Sequence, residues 1–310
     1  MITAITLNPC IDRTVELRNL TVDGHNRVDH VYQNISGKGI NVNVVLKHLG
    51  FETNALVLKH ADGGQQVLDF LQQQQITFST VFAPGALRIN LKLTDTANGT
   101  MTEINERGAP VTQETVAEIL QTVTAILDGT DILVADGSVP PGTPDDIYET
   151  IITMAKEKDV LTVLDATGDL LRKGLQARPW LAKPNRFELE SYYGETAEDL
   201  QQLLTLAHRM RAEGAENVCL SLGGEGAAFI TAEGTWYAPG NRVPVQGTQG
   251  AGDSMVAGIC AATLTGLPSE EALRWGVAAA QGSLILPGTQ LCTMDGFRKM
   301  LDQITIEKIQ

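Results

Sequence analysis

The stretch Gly247-Thr248-Gln249-Gly250-Ala251-Gly252-Asp253-Ser254 places an acid among glycines, ahead of Met255, Val256, Ile259, Cys260, Thr263 and Leu264 at helical spacing. Small residues at a helix start let backbone amides approach an anion, and the aligned peptide dipoles attract it. A carboxylate there is repelled by the same anion unless it handles a proton or faces a metal. The first role makes Asp253 a general base for a hydroxyl proton. The plain alternative is a tight turn with a helix-capping Asp. Gly37, Lys38, Gly39 and Asn41 open a second apolar period, Ile40, Val44, Val45 and Leu49, and offer another helix start to a ligand. Asp12 follows an apolar first segment and a Pro turn, where it can accept hydrogen bonds from hydroxyls or be an ordinary turn residue.

Such groups work only if secondary structure brings them together. Asp131-Ile132-Leu133-Val134-Ala135 and Val160-Leu161-Thr162-Val163-Leu164-Asp165 are nearly continuous in apolar residues, as strands covered on both faces require. Val116, Ile119, Leu120, Val123, Ile126 and Leu127, and later Ile147, Ile151 and Ala155, recur at helical spacing. The alternation predicts an α/β fold with a central, mostly parallel sheet flanked by helices, and ligands beyond the carboxyl ends of its strands. Residues 13–32 and 86–107 instead alternate polar and apolar positions around Asp23-Gly24 and Asn98-Gly99, which suits half-exposed antiparallel strands. They are expected to form a small β-sheet lid on a single domain spanning 1–310, covering a ligand cleft, a partner subunit, or both.

The 310 residues suffice for a large core without disulfide or metal staples, and Cys10, Cys219, Cys260 and Cys292 show no C-x-x-C spacing. Cys219 and Cys260 fall in apolar stretches and are expected to be buried thiols of a reducing compartment. A net charge of -14 argues against a nucleic-acid backbone or an anionic membrane as partner. No apolar run reaches the length of a membrane span, and the opening residues read as a strand rather than a secretion signal, so a cytoplasmic protein is expected. If the ligands are polyanions, a few cations and backbone amides must build a local positive site against the global field.

The Gly247–Ser254 stretch resembles the second signature of the ribokinase-like, or PfkB, carbohydrate kinase family, and Gly37-Lys38-Gly39-Ile40-Asn41-Val42 resembles its first. The similarity runs along nearly the whole chain, through Thr6–Asp12, Arg88–Lys92, Gly137–Gly142, Lys183–Leu189 and Ser221–Gly226, and lies nearest the branch of 1-phosphofructokinases and tagatose-6-phosphate kinases. The resemblance implies a ribokinase-like fold and makes Asp253 the catalytic base, with the amides of Gly250, Ala251 and Gly252 as an anion hole. It assigns Asp12, Gly37, Lys38, Gly39, Asn41 and Ser138 to the sugar side. Lys183, Ser221, Gly223, Gly226 and Thr248 go to the ATP side, and Asn185 and Glu188 to the region that organises Mg2+ and phosphate.

A phosphorylated acceptor needs a second anion site. Among the cations of the two lid segments, Arg27, Arg88 and Lys92 are the candidates for it, and Asn90 shares the alternating face of Arg88 and Lys92. A solvent-facing charged strand face is the bland alternative. The expected reaction is transfer of the ATP γ-phosphoryl group to C6 of D-fructose 1-phosphate, giving fructose 1,6-bisphosphate and ADP, in a homodimer joined through the lid sheets. Transfer to tagatose 6-phosphate, or a catalytically weak sugar-phosphate sensor, are the competing readings. A Rossmann dehydrogenase lacks the required G-x-G-x-x-G context. Ser36, Asp136 and Gln249 depart from the family pattern, and Asp136 is the awkward one. A carboxylate near the acceptor phosphate would oppose binding unless it points into the domain or meets a lid cation.

Overall fold

The computed structural model describes residues 1–309. Two sheets organise the chain. The large sheet contains β1 (Ile2–Thr6), β4 (Thr53–Asp62), β5 (Thr77–Ala86), β8 (Ile132–Asp136), β9 (Leu161–Asp165), β10 (Leu181–Ala182), β11 (Asn217–Ser221), β12 (Gly226–Ile230), β13 (Thr235–Pro239) and β14 (Glu307–Lys308). The small sheet contains β2 (Cys10–Leu17), β3 (His30–Ser36), β6 (Arg88–Asp95) and β7 (Thr100–Asn105). Helices α1 (Lys38–His48), α2 (Gly64–Gln73), α3 (Gln113–Leu127), α4 (Ile147–Lys156), α5 (Gly168–Gly174), α6 (Arg186–Tyr193), α7 (Leu200–Glu213), α8 (Ala251–Leu264), α9 (Ser269–Leu284) and α10 (Met294–Leu301) connect them.

The large sheet runs β14-β13-β12-β11-β10-β9-β8-β1-β4-β5. It is parallel from β5 to β11, with antiparallel β12, β13 and β14 at one edge. Strands β1, β8 and β9 are apolar and almost wholly buried because helices cover both faces. Val42, Val45 and Leu46 of α1 pack with Val256 and Ile259 of α8 and Ala278 of α9 on one face. Ile119 and Val123 of α3, Ile151 and Ile152 of α4 and Leu203 of α7 fill the other. The chain leaves β1 towards β4 and β5 but later continues from β8 in the opposite direction, so the strand order reverses between β1 and β8. A crevice opens at the carboxyl ends of such a pair.

The small sheet has the order β3-β2-β6-β7. Its strands begin at Cys10 rather than at 13, and the turn around Asp23-Gly24 lies within a longer, largely exposed connection over residues 18–29 rather than closing a tight hairpin. The Asn98-Gly99 turn does join β6 to β7, with Asp95 accepting hydrogen bonds from the amides of Ala97 and Asn98. Cys10, Cys219, Cys260 and Cys292 are all buried free thiols. No helix among the described residues is long and apolar enough to cross a membrane.

Candidate active site

Helix α8 begins where the glycine-rich stretch predicted. Gly250 is its N-cap with φ of 72°, a left-handed conformation that a side chain would strain. A Cβ there would also come within 2.3 Å of Leu291. The first-turn amides at Ala251 and Gly252 therefore stay accessible to an anion, and Asp253 follows them with only 7% of its surface exposed. Asn41, in the first turn of α1, donates a 2.7 Å hydrogen bond to Asp253 Oδ2. Burial raises the Asp253 carboxyl above the ordinary carboxylate range. The charge of Lys38 opposes this, Asp165 adds to it, and the Asn41 hydrogen bond offsets part of the rise.

Behind Asp253 lies a charged cluster. Asp136 and Asp165 end the neighbouring parallel strands β8 and β9 in direct register. Asp165 is fully buried and holds two cations, Lys38 at 2.8 Å and Lys183 at 3.1 Å. Burial works against its charge, yet Lys183 and Lys38 together hold its carboxyl below the usual range. The direction of Lys38, open in the sequence, is thus set by Asp165. Burial alone would ease the proton off Lys38, but Asp165 and Asp253 keep the ammonium well above the ordinary lysine range. Lys183 reaches beneath the helix start, since a Cβ on Gly252 would stand 3.4 Å from its ammonium nitrogen. An anion gathered at the helix start therefore meets amides and a buried cation together.

A cavity of about 720 Å³ opens at the β1/β8 reversal, walled by Thr6, Asn8, Lys38, Arg88, Asp136 and Ser138 among others. Gly37 and Asn90 line it too, whereas Gly39 packs against the Ile5 carbonyl, where a Cβ would come within 2.5 Å. Arg88 is held by the Asn8 carbonyl at 2.9 and 3.0 Å, the Glu106 carbonyl at 3.1 Å and Asn90 Oδ1 at 3.0 Å. It has no carboxylate ion pair among the described residues, so its charge is positioned but not neutralised. Arg107 also lines the cavity. It was not singled out in the sequence because it closes the second lid segment, past the end of β7 at Asn105, where strand alternation no longer assigns it a face.

Two cations expected on the acceptor side do not serve as free anchors here. Lys92 is buried, paired to Asp12 Oδ2 at 2.6 Å and bonded to Gln249. Asp12 is correspondingly engaged, its other oxygen accepting from Asn90 at 3.1 Å. In-register pairing of Asp12 with Asn90 across β2 and β6 draws Lys92 sideways onto the carboxylate, a contact that strand alternation alone does not reveal. Arg27 lies in the exposed 18–29 connection and lines neither this cavity nor the second, of about 970 Å³, beside Asp12 and Asn41. Gln249 ties the small sheet to the helix start by bonding Lys92 of β6 and, at 3.4 Å, Glu103 of β7.

On the far side of the helix start, Asn185 and Glu188 form a reciprocal capping box. Asn185 Oδ1 accepts from the Glu188 amide, and Glu188 Oε2 from the Asn185 amide, each at 2.8 Å. The N-x-x-E spacing itself carries that signal. Asn185 thus stands at the N-cap rather than beside Glu188 on a helical face, and one Glu188 oxygen remains outside the box. Ser221 ends β11 next to Asn185. Gly223, at φ of 59°, has no atom within 4 Å of a built Cβ, so the loop is open there. Gly226 is required by packing instead, because a Cβ would fall 2.0 Å from the Ala238 carbonyl. Thr248 is exposed just before the helix turn.

A buried carboxyl beside an amide-lined helix start suits transfer of a phosphoryl group to a hydroxyl, and the protein is a phosphotransferase acting on a sugar hydroxyl. A family model for pfkB family carbohydrate kinases matches residues 4–295, and the chain belongs to that family. It is 32% identical over 309 residues to the 1-phosphofructokinase of Bacillus subtilis strain 168, covering 100% of each chain. The solved structure of phosphofructokinase-2 from Escherichia coli in complex with potassium is similar with a TM-score of 0.91 at 27% identity, covering 97% of this chain and 98% of that one. A ribokinase from Thermotoga maritima, with a TM-score of 0.80 at 20% identity and coverage of 97% and 99%, shares the ribokinase-like fold.

Proposed function

We propose that this kinase transfers the γ-phosphoryl group of ATP to the C6 hydroxyl of D-fructose 1-phosphate, giving fructose 1,6-bisphosphate and ADP. The observation that carries the reading is the juxtaposition of buried Asp253, held by Asn41, with the open amides of the α8 start. The acceptor hydroxyl gives its proton to Asp253 as its oxygen bonds to the γ-phosphorus. The bond from phosphorus to the β,γ-bridging oxygen breaks, and ADP leaves. The amides of Gly250, Ala251 and Gly252, with Lys183 beneath them, stabilise the charge on the transferring group. The sugar phosphate sits in the cavity of Arg88, Lys38 and Ser138, and the small sheet acts as a lid. The relative named 1-phosphofructokinase supports this acceptor over others.

No cluster of three metal-binding side chains occurs among the described residues, and the half-buried Glu188 keeps one oxygen outside its capping box. That donor set fits magnesium, which favours oxygen and commonly relies on one or two carboxylates plus substrate phosphates. Glu188 and Asn185 are the residues that would hold it, directly or through water. When bound with ATP, magnesium neutralises phosphate charge. A second copy of the chain is the proposed partner of the small sheet's outer face, where Val31 and Ile104 are 46% and 53% exposed. Alternation along β3 and β7 puts them opposite the face of Asp12 and Asn90.

The reading is tested by ADP release from purified protein offered fructose 1-phosphate, tagatose 6-phosphate, fructose 6-phosphate and fructose, with the phosphorylated carbon identified by NMR. Fructose 1-phosphate should give the highest kcat/KM and a C6 product; preference for another acceptor rejects it. Arg88→Ala should raise KM for the phosphorylated acceptor by about 10- to 100-fold, the range for one charged hydrogen bond, and lower kcat much less. A defect confined to kcat would reject the anchoring role.

A further inference from the structure

The charged cluster contains one carboxyl that enters neither the reaction described above nor an ion pair. Asp136 is 2% exposed, forms part of the wall of the 720 Å³ cavity, and neither of its oxygens has a hydrogen-bond partner among the described residues. Buried polar atoms are rarely left so, and a group of them around one cavity marks a place that a polar ligand completes. Thr6 Oγ1, Asn8 Oδ1 and Thr143 Oγ1 are also buried without partners, and all three residues line this same cavity. Asn8 Oδ1 calls for a donor such as a sugar hydroxyl, while Lys38 and Arg88 call for an anion.

The protonation state of Asp136 follows from its neighbours. Asp165 faces it from β9, Asp253 from α8, Lys38 from α1 and Lys183 from the segment after β10. Tyr148 of α4 donates its hydroxyl to the Asp136 and Gly137 backbone carbonyls, and Cys260 of α8 is a buried neutral thiol. Both lysines form ion pairs with Asp165, and Asp253 accepts a hydrogen bond from Asn41. Three carboxyls thus stand against two ammonium groups, and only Asp136 has no donor to stabilise its charge. Burial first, then the charges of Asp253 and Asp165, push its carboxyl well above the ordinary range despite Lys38 and Lys183. A proton held by the cluster therefore rests on Asp136.

We propose that Asp136 is a specificity-determining residue that, as a neutral carboxylic acid, donates a hydrogen bond to the phosphorylated sugar in the cavity it shares with Lys38, Arg88 and Ser138. This rests on the proposed phosphosugar acceptor and deepens it. The departure from the family pattern thereby becomes a donor for an anionic oxygen rather than a source of repulsion. A carboxylic acid offers such a donor without adding charge to the site, and a neutral Asp136 also leaves Asp253 free to ionise as the base.

The test is calorimetric binding of fructose 1-phosphate, and separately of inorganic phosphate, to the wild type, Asp136→Ala and Asp136→Asn over a pH series. Affinity is the readout, so absence of ADP release would reject the kinase reading without deciding this one. Asp136→Ala should weaken fructose 1-phosphate about tenfold or more, with Asp136→Asn, whose amide still donates, in between. Wild-type affinity should fall as pH rises through the ionisation of Asp136, and the fall should vanish in Asp136→Asn. A merely structural residue would change thermal stability but not remove that pH dependence. Equal affinity in Asp136→Ala, tenfold tighter binding by Asp136→Asn, or no binding of either ligand by the wild type would overturn the proposal. Should the variants not fold, carboxyl carbon NMR of the aspartate-labelled wild type decides. An Asp136 resonance that is neutral at about pH 7, where a free Asp is ionised, and that shifts on adding fructose 1-phosphate supports it; an ionised one refutes it.

Discussion

Asp253→Asn should lower kcat by about 10²- to 10⁴-fold, the usual worth of a positioned general base, while the affinities for acceptor and nucleotide change far less. The asparagine keeps the shape of the side chain but cannot take the hydroxyl proton. Asn41 loses its bond to a carboxylate oxygen and retains an amide oxygen as acceptor, so the start of α8 should persist. The wild-type pH profile follows from the same geometry. Burial lifts the Asp253 carboxyl, and the base is active only when ionised. Activity should therefore fall as pH drops through a value above the ordinary carboxylate range, and that acid limb should be lost from the residual activity of Asp253→Asn. Turnover that is unchanged in the variant would remove Asp253 from the chemistry.

The largest stability effect is expected at Asp165. Its two ion pairs are the only acidic contacts of Lys38 and Lys183 closer than 4 Å among the described residues. Asp165→Asn leaves both ammonium groups facing an amide, and breaking a buried pair from one side costs about 3–5 kcal/mol. Urea denaturation at neutral pH should show that loss. The wild-type carboxyl is held below the ordinary range, so its contribution is present above the unfolded-state pKa and disappears as pH falls through the folded one. The difference between wild type and variant should shrink in acid accordingly. Asp136 can ionise in the variant and replace part of the missing charge, so the loss should be greater in an Asp136→Asn background. Strict additivity of the two substitutions would argue that the carboxyls do not share the lysines.

The cluster shows where sequence reasoning stops. The glycine turn, Asp253 and the helix after it are contiguous, so their place at a helix start could be read from spacing, and α8 begins at Ala251. Likewise, Ile147, Ile151 and Ala155 correctly marked α4, and the two apolar runs marked β8 and β9 within one residue at each end. The partnership of Lys38, Asp165 and Lys183 joins α1, β9 and the segment after β10, which only the strand order brings together. Asp136 and Asp165 each closed an apolar run, the one clue that both would emerge at the carboxyl edge of a parallel sheet. In the small sheet, alternation correctly gave Arg88 and Asn90 a common face. It could not show that Lys92 turns to Asp12 on the neighbouring strand, because that depends on register.

Gln249 illustrates a different limit. It was legible only as a departure from a pattern, yet it connects β6 and the edge strand β7, through Lys92 and Glu103, to the glycine turn that precedes α8. A side chain whose partners lie some 150 residues away has no local signature.

The most direct measurement is a crystal structure of Asp253→Asn with a non-hydrolysable ATP analogue and fructose 1-phosphate. The C6 hydroxyl should lie about 3 Å from the side chain at position 253, with the terminal phosphate of the nucleotide at the amides of residues 250–252. The sugar phosphate should contact Arg88. A nucleotide phosphate bound away from the start of α8, or a C6 hydroxyl beyond hydrogen-bond reach of position 253, would contradict the account.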